Sequence, residues 1–336
     1  MVNQIRKYSL LIGTLIILAI LPAFFHASTY IMNILILCLI WGVMAQSWDL
    51  ILGVASVFSF GHLSFFIIGG YVCGLAAKYM GVSPWLGYLL AGMVAAIIGL
   101  IIGIPCLRLQ GMYLAIVTFS LQFVLPTVIV YFGPGRSQTF STGGSFGLEN
   151  IPSPTLFGYT FNRGELVPFY YLSFVFFIVA MAVIYFIIKS PVGTAFKALR
   201  DAEPLAKTLG IDEYKYKLLV FAISAFIAGV TGAYYATYFQ LISPSSMTLD
   251  VFLIVLVMVL FGGLGVYPGA AIGAFVITIA NELLRPTLSW RLVILGMFII
   301  FTMIFMSKGL MGIPDVFRSL YRRRLRQRSD RSENQE

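Results

Sequence analysis

The chain is dominated by apolar stretches that are long enough to cross a lipid bilayer. A bilayer core is about 30 Å thick and each helical residue rises about 1.5 Å, so one crossing takes about 20 apolar residues. Such stretches occupy most of the 336 residues. Charged residues make up only 10% of the chain, whereas they make up roughly a quarter of a typical soluble domain. The sequence therefore predicts an all-α polytopic membrane protein.

Hydropathy predicts about ten membrane-spanning helices, with eight as the lower bound. The predicted spans are 8–26, 29–51, 57–80, 84–104, 111–132, 167–189, 216–240, 248–264, 267–283 and 288–306. The spans within 57–104 and 248–283 are short or interrupted by glycine, so one or two of them could be re-entrant half-helices buried in protein. The first span resembles a secretory signal, but no small-residue cleavage site follows it, and we expect it to be retained.

The distribution of basic residues predicts the orientation, because Lys and Arg near span ends stay on the cytoplasmic side. Ten spans with a cytoplasmic N-terminus leave only five of the 22 Lys and Arg residues at the outer face: Lys78, Arg136, Arg163, Arg285 and Arg291. Both termini are then cytoplasmic. The predicted layout is a transmembrane domain over 1–315, with an inner loop at 190–215 and an outer loop at 133–166, and a basic cytoplasmic tail over 316–336.

The net charge of +9 comes largely from arginines in the tail. Arginines beside a membrane attract anionic lipid headgroups by about 1 kcal/mol each. We therefore expect membrane lipids, and no nucleic acid, as the partner of the tail. The outer loop is polar and rich in Gly, Pro, Ser and Thr; it either shapes the outer mouth of the helix bundle or is a solvated connector.

Residues that catalyse reactions or bind metals are scarce. The chain has two histidines and lacks the HExxH and Walker A patterns. Cys38, Cys73 and Cys106 lie in or beside apolar runs without metal-ligand or disulfide spacing. Ionisable residues occur in the spans only near their ends, whereas proton- or ion-driven carriers usually keep some inside. The sequence thus predicts no enzyme, no cofactor and no metal, and a transport pathway whose energy comes from a partner. An ion-driven secondary carrier and a membrane-bound enzyme are the alternatives.

The inner loop contains two predicted short helices. Pro191 ends the preceding span, and the first helix runs from about Thr194 to Arg200. Asp201 or Glu203 caps the second helix, Pro204 suits its first turn, and Gly210 suits its left-handed end. The apolar residues of the two helices could form a knob for a groove in a partner, rimmed by Arg200, Asp201 and Glu203; they are Ala195, Leu199, Leu205, Ala206 and Leu209. Alternatively, the loop is amphipathic and rests on the protein's own helices.

This loop resembles the coupling loop of ABC importer permeases, specifically those of branched-chain amino-acid uptake systems. The family pattern of an ALR core, acidic residues and A-x-x-x-G-I is matched by Ala198, Leu199, Arg200, Asp201, Glu203, Ala206, Gly210 and Ile211. Three further stretches are similar in the same order: LGVASVFSFGHLSFFIIGGY (52–71), LRLQGMYLAIVTFS (107–120) and TGGSFGL (142–148). Pro204 and Phe60 depart from the pattern. The resemblance covers residues 30 to 315.

The resemblance implies an ABC importer permease fold in the inner membrane of a bacterial-type cell. It further implies one of two different permease subunits, working with two cytoplasmic ATPase subunits and an external substrate-binding protein. The residues that it places in contact with an ATPase are Ala195, Ala198, Leu199, Arg200, Asp201, Glu203, Ala206, Leu209 and Gly210. Permeases for urea and short-chain amides share much of the pattern, so these solutes are the alternative to branched-chain amino acids.

Polar residues on the central spans are candidates for the translocation path, because a zwitterion needs hydrogen-bond partners where water is scarce. The main candidates are Gln46, Ser59, His62, Thr118 and Gln122, with Ser47, Ser56 and Ser120 beside them. Such side chains also bridge helices without a transport role. Small residues recur at four-residue spacing and predict close helix packing: Gly70 and Gly74, Gly99 and Gly103, and Gly265, Gly269 and Gly273.

Overall fold

The computed structural model describes residues 18–23, 28–109, 111–133, 141–156, 158–161, 164–244, 248–285 and single positions between 290 and 300. Residues 18–23 are helical, and a π-helical turn, Leu50–Val54, extends the helix that follows them. The helices are α1 Thr29–Asp49, α2 His62–Met80, α3 Pro84–Cys106, α4 Met112–Tyr131, α5 Leu166–Lys189, α6 Pro191–Thr208, α7 Glu213–Phe239, α8 Leu249–Gly262 and α9 Gly269–Leu283.

Six of these helices are long and apolar enough to cross a membrane: α1 with its π-helical turn, α2, α3, α4, α5 and α7. The apolar helices α8 and α9 have 14 and 15 residues, fewer than the about 20 that a full crossing takes. They match the predicted spans 248–264 and 267–283, which belong to the four spans of which one or two could be re-entrant. Most of the predicted spans 8–26 and 288–306 lies outside the described residues, and the count of ten is not confirmed.

The described part of the 133–166 segment contains three two-residue strands, in a fold that is otherwise mostly helical. Strand β1, Leu148–Glu149, pairs antiparallel with β4, Leu241–Ile242, and β2, Thr155–Leu156, pairs with β3, Tyr159–Thr160. The β1–β4 pair joins this segment to the residues directly after α7. The Gln240 side chain strengthens the connection by donating to Ser153 Oγ over 2.8 Å. The described part of the segment is therefore packed against the helices.

Helix α1 lies at the centre of the bundle. It contacts α5, α7, α8 and α9, and it is the most buried of the six long helices. Its side chains are buried without interruption from Gly42 onward, through the π-helical turn. A helix that is apolar on all faces is stable only when protein or lipid surrounds it. The polar residues that α1 carries near its C-terminal end are consequently enclosed by protein.

Glycines bring α2, α3 and α7 into close contact. A methyl group added at Gly69 would overlap the backbone of Gly229, and one added at Gly232 would overlap the carbonyl oxygen of Phe66. Gly99, from the predicted four-residue pattern, lies against Ala225 in the same way. The tightest contacts, however, involve glycines outside that pattern. Their partners are on distant parts of the chain, which spacing along one helix does not reveal.

We predict that Gly232→Ala destabilises the helix bundle. The added methyl group forces α2 and α7 apart, and overpacking of this kind typically costs about 1–3 kcal/mol. Thermal unfolding of the purified protein in detergent measures the effect as a lower midpoint. Gly164→Ala is the matched control, because a methyl group there meets no other described residue within 4 Å. Equal midpoints for the two variants would show that the Gly232 contact does not hold the helices together.

Candidate functional site

The 190–215 loop forms the helix α6, which is interrupted at Ala202. There the backbone leaves the helical region, with φ −155° and ψ 72°, so α6 consists of two short helices that meet at a kink. The predicted pair of helices is therefore confirmed, although the first begins at Pro191 and not at Thr194. The reason is local: Ser190 caps the helix by accepting from the Gly193 amide over 3.3 Å, and proline suits the first helical position. Gly210, with φ +83°, reverses the chain after the second helix.

Burial separates the apolar residues of α6 into two groups. Ala195, Leu199 and Ala206 are buried against the protein's own helices, whereas Leu205 and Leu209 are 61% and 75% exposed. The prediction that all five form one exposed knob is thus corrected, because three of them anchor the loop to the bundle. Both alternatives from the sequence hold in part. The loop rests on its own helices through one face and presents two leucines on the other.

The predicted rim of the loop is organised around Arg200. Its Nε donates to Asp201 Oδ1 over 2.8 Å, and this hydrogen bond holds the pKa of the exposed Asp201 carboxyl below its usual value. Its Nη1 donates to the Gly53 carbonyl oxygen over 3.4 Å, beyond the end of α1. Nearby, Lys197 donates to the Ile188 carbonyl oxygen, and burial lowers the pKa of its ammonium group. Arg200 therefore contacts both the exposed rim and the interior.

Glu203 belongs to a cluster of four charges that joins α6 to α7. Its carboxylate accepts from Lys207 Nζ over 2.9 Å and from Lys217 Nζ over 3.1 Å, and Glu213 pairs with both lysines. Single ion pairs of this exposure contribute little, but a network fixes the relative position of its elements. Lys207, Glu213 and Lys217 were not among the residues predicted from the sequence to form this contact. The four-residue spacing of Glu203 with Lys207 and of Glu213 with Lys217 was the available signal.

The five main candidates for a translocation path are all buried: Gln46, Ser59, His62, Thr118 and Gln122. His62 Nε2 lies 2.9 Å from Ser47 Oγ, linking the start of α2 to α1. The Ser59 carbonyl oxygen accepts from the indole of Trp48 over 2.9 Å. Thr118 Oγ1 on α4 accepts from the Phe60 amide over 3.0 Å. The structure thus brings most of these candidates to one junction between α1, α2 and α4.

Gln122 differs from the other polar residues of this junction. It lies one turn beyond Thr118 on the same face of α4, and both are fully buried. Neither amide atom of Gln122 has a hydrogen-bond partner among the described residues. Ser120 is exposed and donates to the Ile116 carbonyl oxygen of its own helix, so it does not join the junction. Ser56 is half-buried, in a left-handed conformation with φ +53°.

Aromatic rings pack beside the polar junction. Phe252 of α8 lies with its ring centroid 5.5 Å from that of Trp48, 6.0 Å from that of Phe60 and 5.1 Å from that of Phe119. Trp48 in turn stacks on His62 at 6.0 Å. Contacts of this kind depend on the relative position of α1, α4 and α8. A movement of α8 would therefore rearrange the surroundings of His62 and Thr118.

Two further parts of the structure contain polar groups that could form a site, namely a cleft and a buried carboxylate. A cleft of about 360 Å³ lies beside the 133–166 segment, where Lys78, Tyr79 and Glu149 are among the lining residues. Lys78 crosses part of it and donates to the Glu149 carbonyl oxygen over 2.8 Å. Among the residues that the structure describes, no three His, Cys, Asp or Glu side chains come together as metal ligands. Asp49, one of the ionisable residues near a predicted span end, is fully buried at the end of α1.

Comparison with known proteins identifies the family. Residues 30–306 match the family model described as branched-chain amino acid transport system / permease component. The high-affinity branched-chain amino acid transport system permease protein LivM of Escherichia coli is 29% identical over 91% of this chain and 75% of its own length. LivH of the same organism is 25% identical over 82% of this chain and 92% of its own length. The permease protein BraD of Pseudomonas aeruginosa is 22% identical over 88% of this chain and 99% of its own length.

No solved structure was found to match the chain. The family match covers most of the described residues, from α1 to α9, and includes the 190–215 loop together with the polar junction. The chain therefore belongs to the family of permease components of branched-chain amino acid transport systems.

Proposed function

We propose that this chain is one of two different permease subunits of an ATP-driven importer, and that it carries branched-chain amino acids into the cell. Family membership supports the class of protein. Its similarity to both LivM and LivH, two permease proteins of one organism, supports pairing with a second and different permease. Its partners would be that permease, two cytoplasmic ATPase subunits and an external substrate-binding protein. Hydrolysis of ATP would occur on the ATPase subunits, and this chain would not be an enzyme.

The proposed topology has about ten crossings or re-entrant segments, both termini in the cytoplasm, and a location in the inner membrane of a bacterial-type cell. Six helices that are long and apolar enough to cross a membrane support a multi-pass arrangement. In this arrangement the end of α1, the loop between α8 and α9, and α6 all lie at the cytoplasmic face. Contacts between these three elements support the assignment, because segments on opposite faces could not meet. The transmembrane domain over 1–315 and the basic tail over 316–336 complete the proposal.

The two-sided burial of α6 is the observation that carries the proposed mechanism. Exposed Leu205 and Leu209 would enter a groove on an ATPase subunit, while the buried face holds α6 to the bundle. The Glu203 cluster fixes the second short helix to the start of α7, and Ser190 joins the first helix directly to α5. Movement of the ATPase subunits during the ATP cycle would therefore displace α5 and α7 through α6. Ala198, Asp201 and Gly210 would shape the same contact.

We predict that Leu205→Asp combined with Leu209→Asp prevents docking of the ATPase subunits. Two carboxylates in an apolar groove must lose their hydration without gaining partners, which is strongly unfavourable. Co-purification of the ATPases with the permease pair measures the loss, and ATP-driven uptake in liposomes should fall to background. Lys215→Gln is the control, because that exposed lysine pairs with Asp212, three residues earlier in the chain. Normal co-purification of the double variant would refute the docking role of α6.

The polar junction is the proposed section of the translocation path that this subunit supplies. Gln122 is the strongest candidate in it. A buried amide without partners costs free energy, so its presence calls for an explanation such as a role in transport. Its amide oxygen and nitrogen could serve the ammonium and carboxylate groups of an amino acid. Ser59, His62 and Thr118 would act mainly by holding α1, α2 and α4 around it, whereas Gln46 would act by joining α1 to α9. The aliphatic side chain of the solute would pass beside the aromatic rings of Phe60, Phe119 and Phe252.

We predict that Gln122→Ala lowers the rate of amino-acid uptake by about tenfold, which corresponds to the loss of about one hydrogen bond to the solute in transit. His62→Ala should lower uptake less, because the His62 ring is already bonded to Ser47 and is therefore less available to the solute. Uptake of leucine, isoleucine, valine and urea into liposomes carrying the complete transporter measures both effects. Ser120→Ala, on the exposed face of the same helix, should behave as wild type. Unchanged uptake in both junction variants would remove these residues from the path, and uptake of urea alone would overturn the proposed solute class.

A further inference from the structure

The end of α1, the loop between α8 and α9, and the helix α6 meet at one point with little free space. Gly53, in the π-helical turn after α1, lies directly against Gly265, and a methyl group added to Gly53 would overlap both the Gly265 amide nitrogen and the Asp49 carboxylate. A methyl group added to Gly265 would lie 2.7 Å from Arg200 Nη1 and 2.7 Å from the Gly53 carbonyl oxygen. Four residues from three elements are therefore in direct contact.

Asp49 connects two of these elements through its side chain. Its carboxylate is fully buried, and Oδ1 accepts from the Gly265 amide over 2.7 Å. Hydrogen bonds to a charged group are among the stronger ones in proteins. Gly265 has φ +71°, a left-handed conformation in which its amide points at the carboxylate and which favours glycine. The loop between α8 and α9 is thereby fixed to the end of α1.

Gln46 extends the connection to α9. Its Nε2 donates to Asp49 Oδ2 over 3.1 Å, and its Oε1 accepts from the Ala271 amide over 3.3 Å. Ala271 lies in the first turn of α9, where backbone amides have no partner within their own helix. Both carboxylate oxygens of Asp49 are thus occupied by groups that lead to the α8–α9 region. This explains how the buried charge is tolerated, since an isolated one would be very costly.

Arg200 brings α6 to the same point. Its guanidinium donates to the Gly53 carbonyl oxygen, and its positive charge attracts the Asp49 carboxylate. Because the Gly53 carbonyl and the Asp49 side chain belong to one turn of the α1 end, a shift of Arg200 acts on that turn directly. The Asp49 side chain of this same turn is bonded to Gly265 and, through Gln46, to Ala271. A continuous chain of contacts runs from α6 to the helices that pack around the polar junction.

We propose that Asp49 is a positioning residue for ATP-driven transport, which ties the loop between α8 and α9 to the end of α1 where Arg200 of α6 contacts the same turn. Displacement of α6 then moves α1, α8 and α9 together. This inference rests on the proposed function, because it assumes that ATPase subunits displace α6. The movement of α8 would shift Phe252, whose ring contacts Trp48 and Phe119 beside the path.

The test compares Gly265→Ala and Asp49→Asn with the wild type in liposomes containing the complete transporter. The alanine methyl group wedges Arg200 away from Gly53, and asparagine keeps the shape of Asp49 but removes its charge. Uptake and ATP hydrolysis are measured in the same vesicles. Both variants should keep ATP hydrolysis, while the number of solute molecules imported per ATP falls about fivefold or more, the usual lower range for energetic coupling between sites.

Two controls separate coupling from stability. Gly81→Ala introduces similar backbone strain, at φ +63°, and within the described part of the chain its methyl group contacts no other residue closer than 4 Å. Ser173→Ala removes a buried hydrogen bond, to Tyr234, outside the contact point. Both controls should import the wild-type number of molecules per ATP, because reduced stability lowers the amount of active transporter and not its ratio.

The outcomes are distinguishable. A wild-type ratio in Gly265→Ala and Asp49→Asn would overturn the positioning role while leaving the proposed function intact. If Asp49→Asn does not assemble, as size-exclusion chromatography would show, Gly265→Ala against Gly81→Ala decides alone. A wild-type complex without ATP-driven import would overturn the proposed function and this inference with it.

Discussion

Helices in lipid are not pressed together by the hydrophobic effect, because the lipid tails are as apolar as the side chains. Their association depends instead on close backbone contact and on hydrogen bonds between helices. Gly69, Gly229 and Gly232 provide the backbone contact for α2 and α7, with α3 packed on both. These helices form a firm unit on one side of α1. The Asp49 contacts instead use hydrogen bonds, which join α1 to the loop between α8 and α9 and to α9 itself.

Water is also scarce in the interior of the helix bundle, and this explains how the buried polar groups are arranged. An unpaired polar group inside such a bundle costs free energy, so most of them bond across elements and thereby fix the relative position of those elements. Ser47 with His62 and Asp49 with Gly265 are two examples. Gln122 is an exception, because both of its amide atoms are without a partner among the described residues. The paired groups hold the elements in their relative positions, whereas the amide of Gln122 is available to bind a solute that passes.

Local pattern predicted much of the fold but little of its tertiary detail. The stop at Pro191, the break before Pro204 and the turn at Gly210 follow from neighbouring residues and could be predicted. Burial could not, because Ala195 and Leu205 are both apolar and only the contact of α6 with the bundle separates them. The contact between Asp49 and Gly265 joins positions 216 residues apart. Nothing in either local sequence indicates such a partner. The β1–β4 pair was missed for the same reason, whereas β2 and β3 lie close together in the sequence.

The placement of α6 relates these two kinds of contact. Its first helix continues directly from α5, its second is held to α7 by Glu203, and Arg200 between them contacts the end of α1. The kink at Ala202 lies directly after Arg200 and Asp201. A rigid single helix would move as one body, whereas two short helices joined at a kink can transmit a force at Leu205 and Leu209 to different helices. The interruption of α6 therefore suits a segment that distributes one movement between the firm glycine-packed unit and the hydrogen-bonded elements around α1.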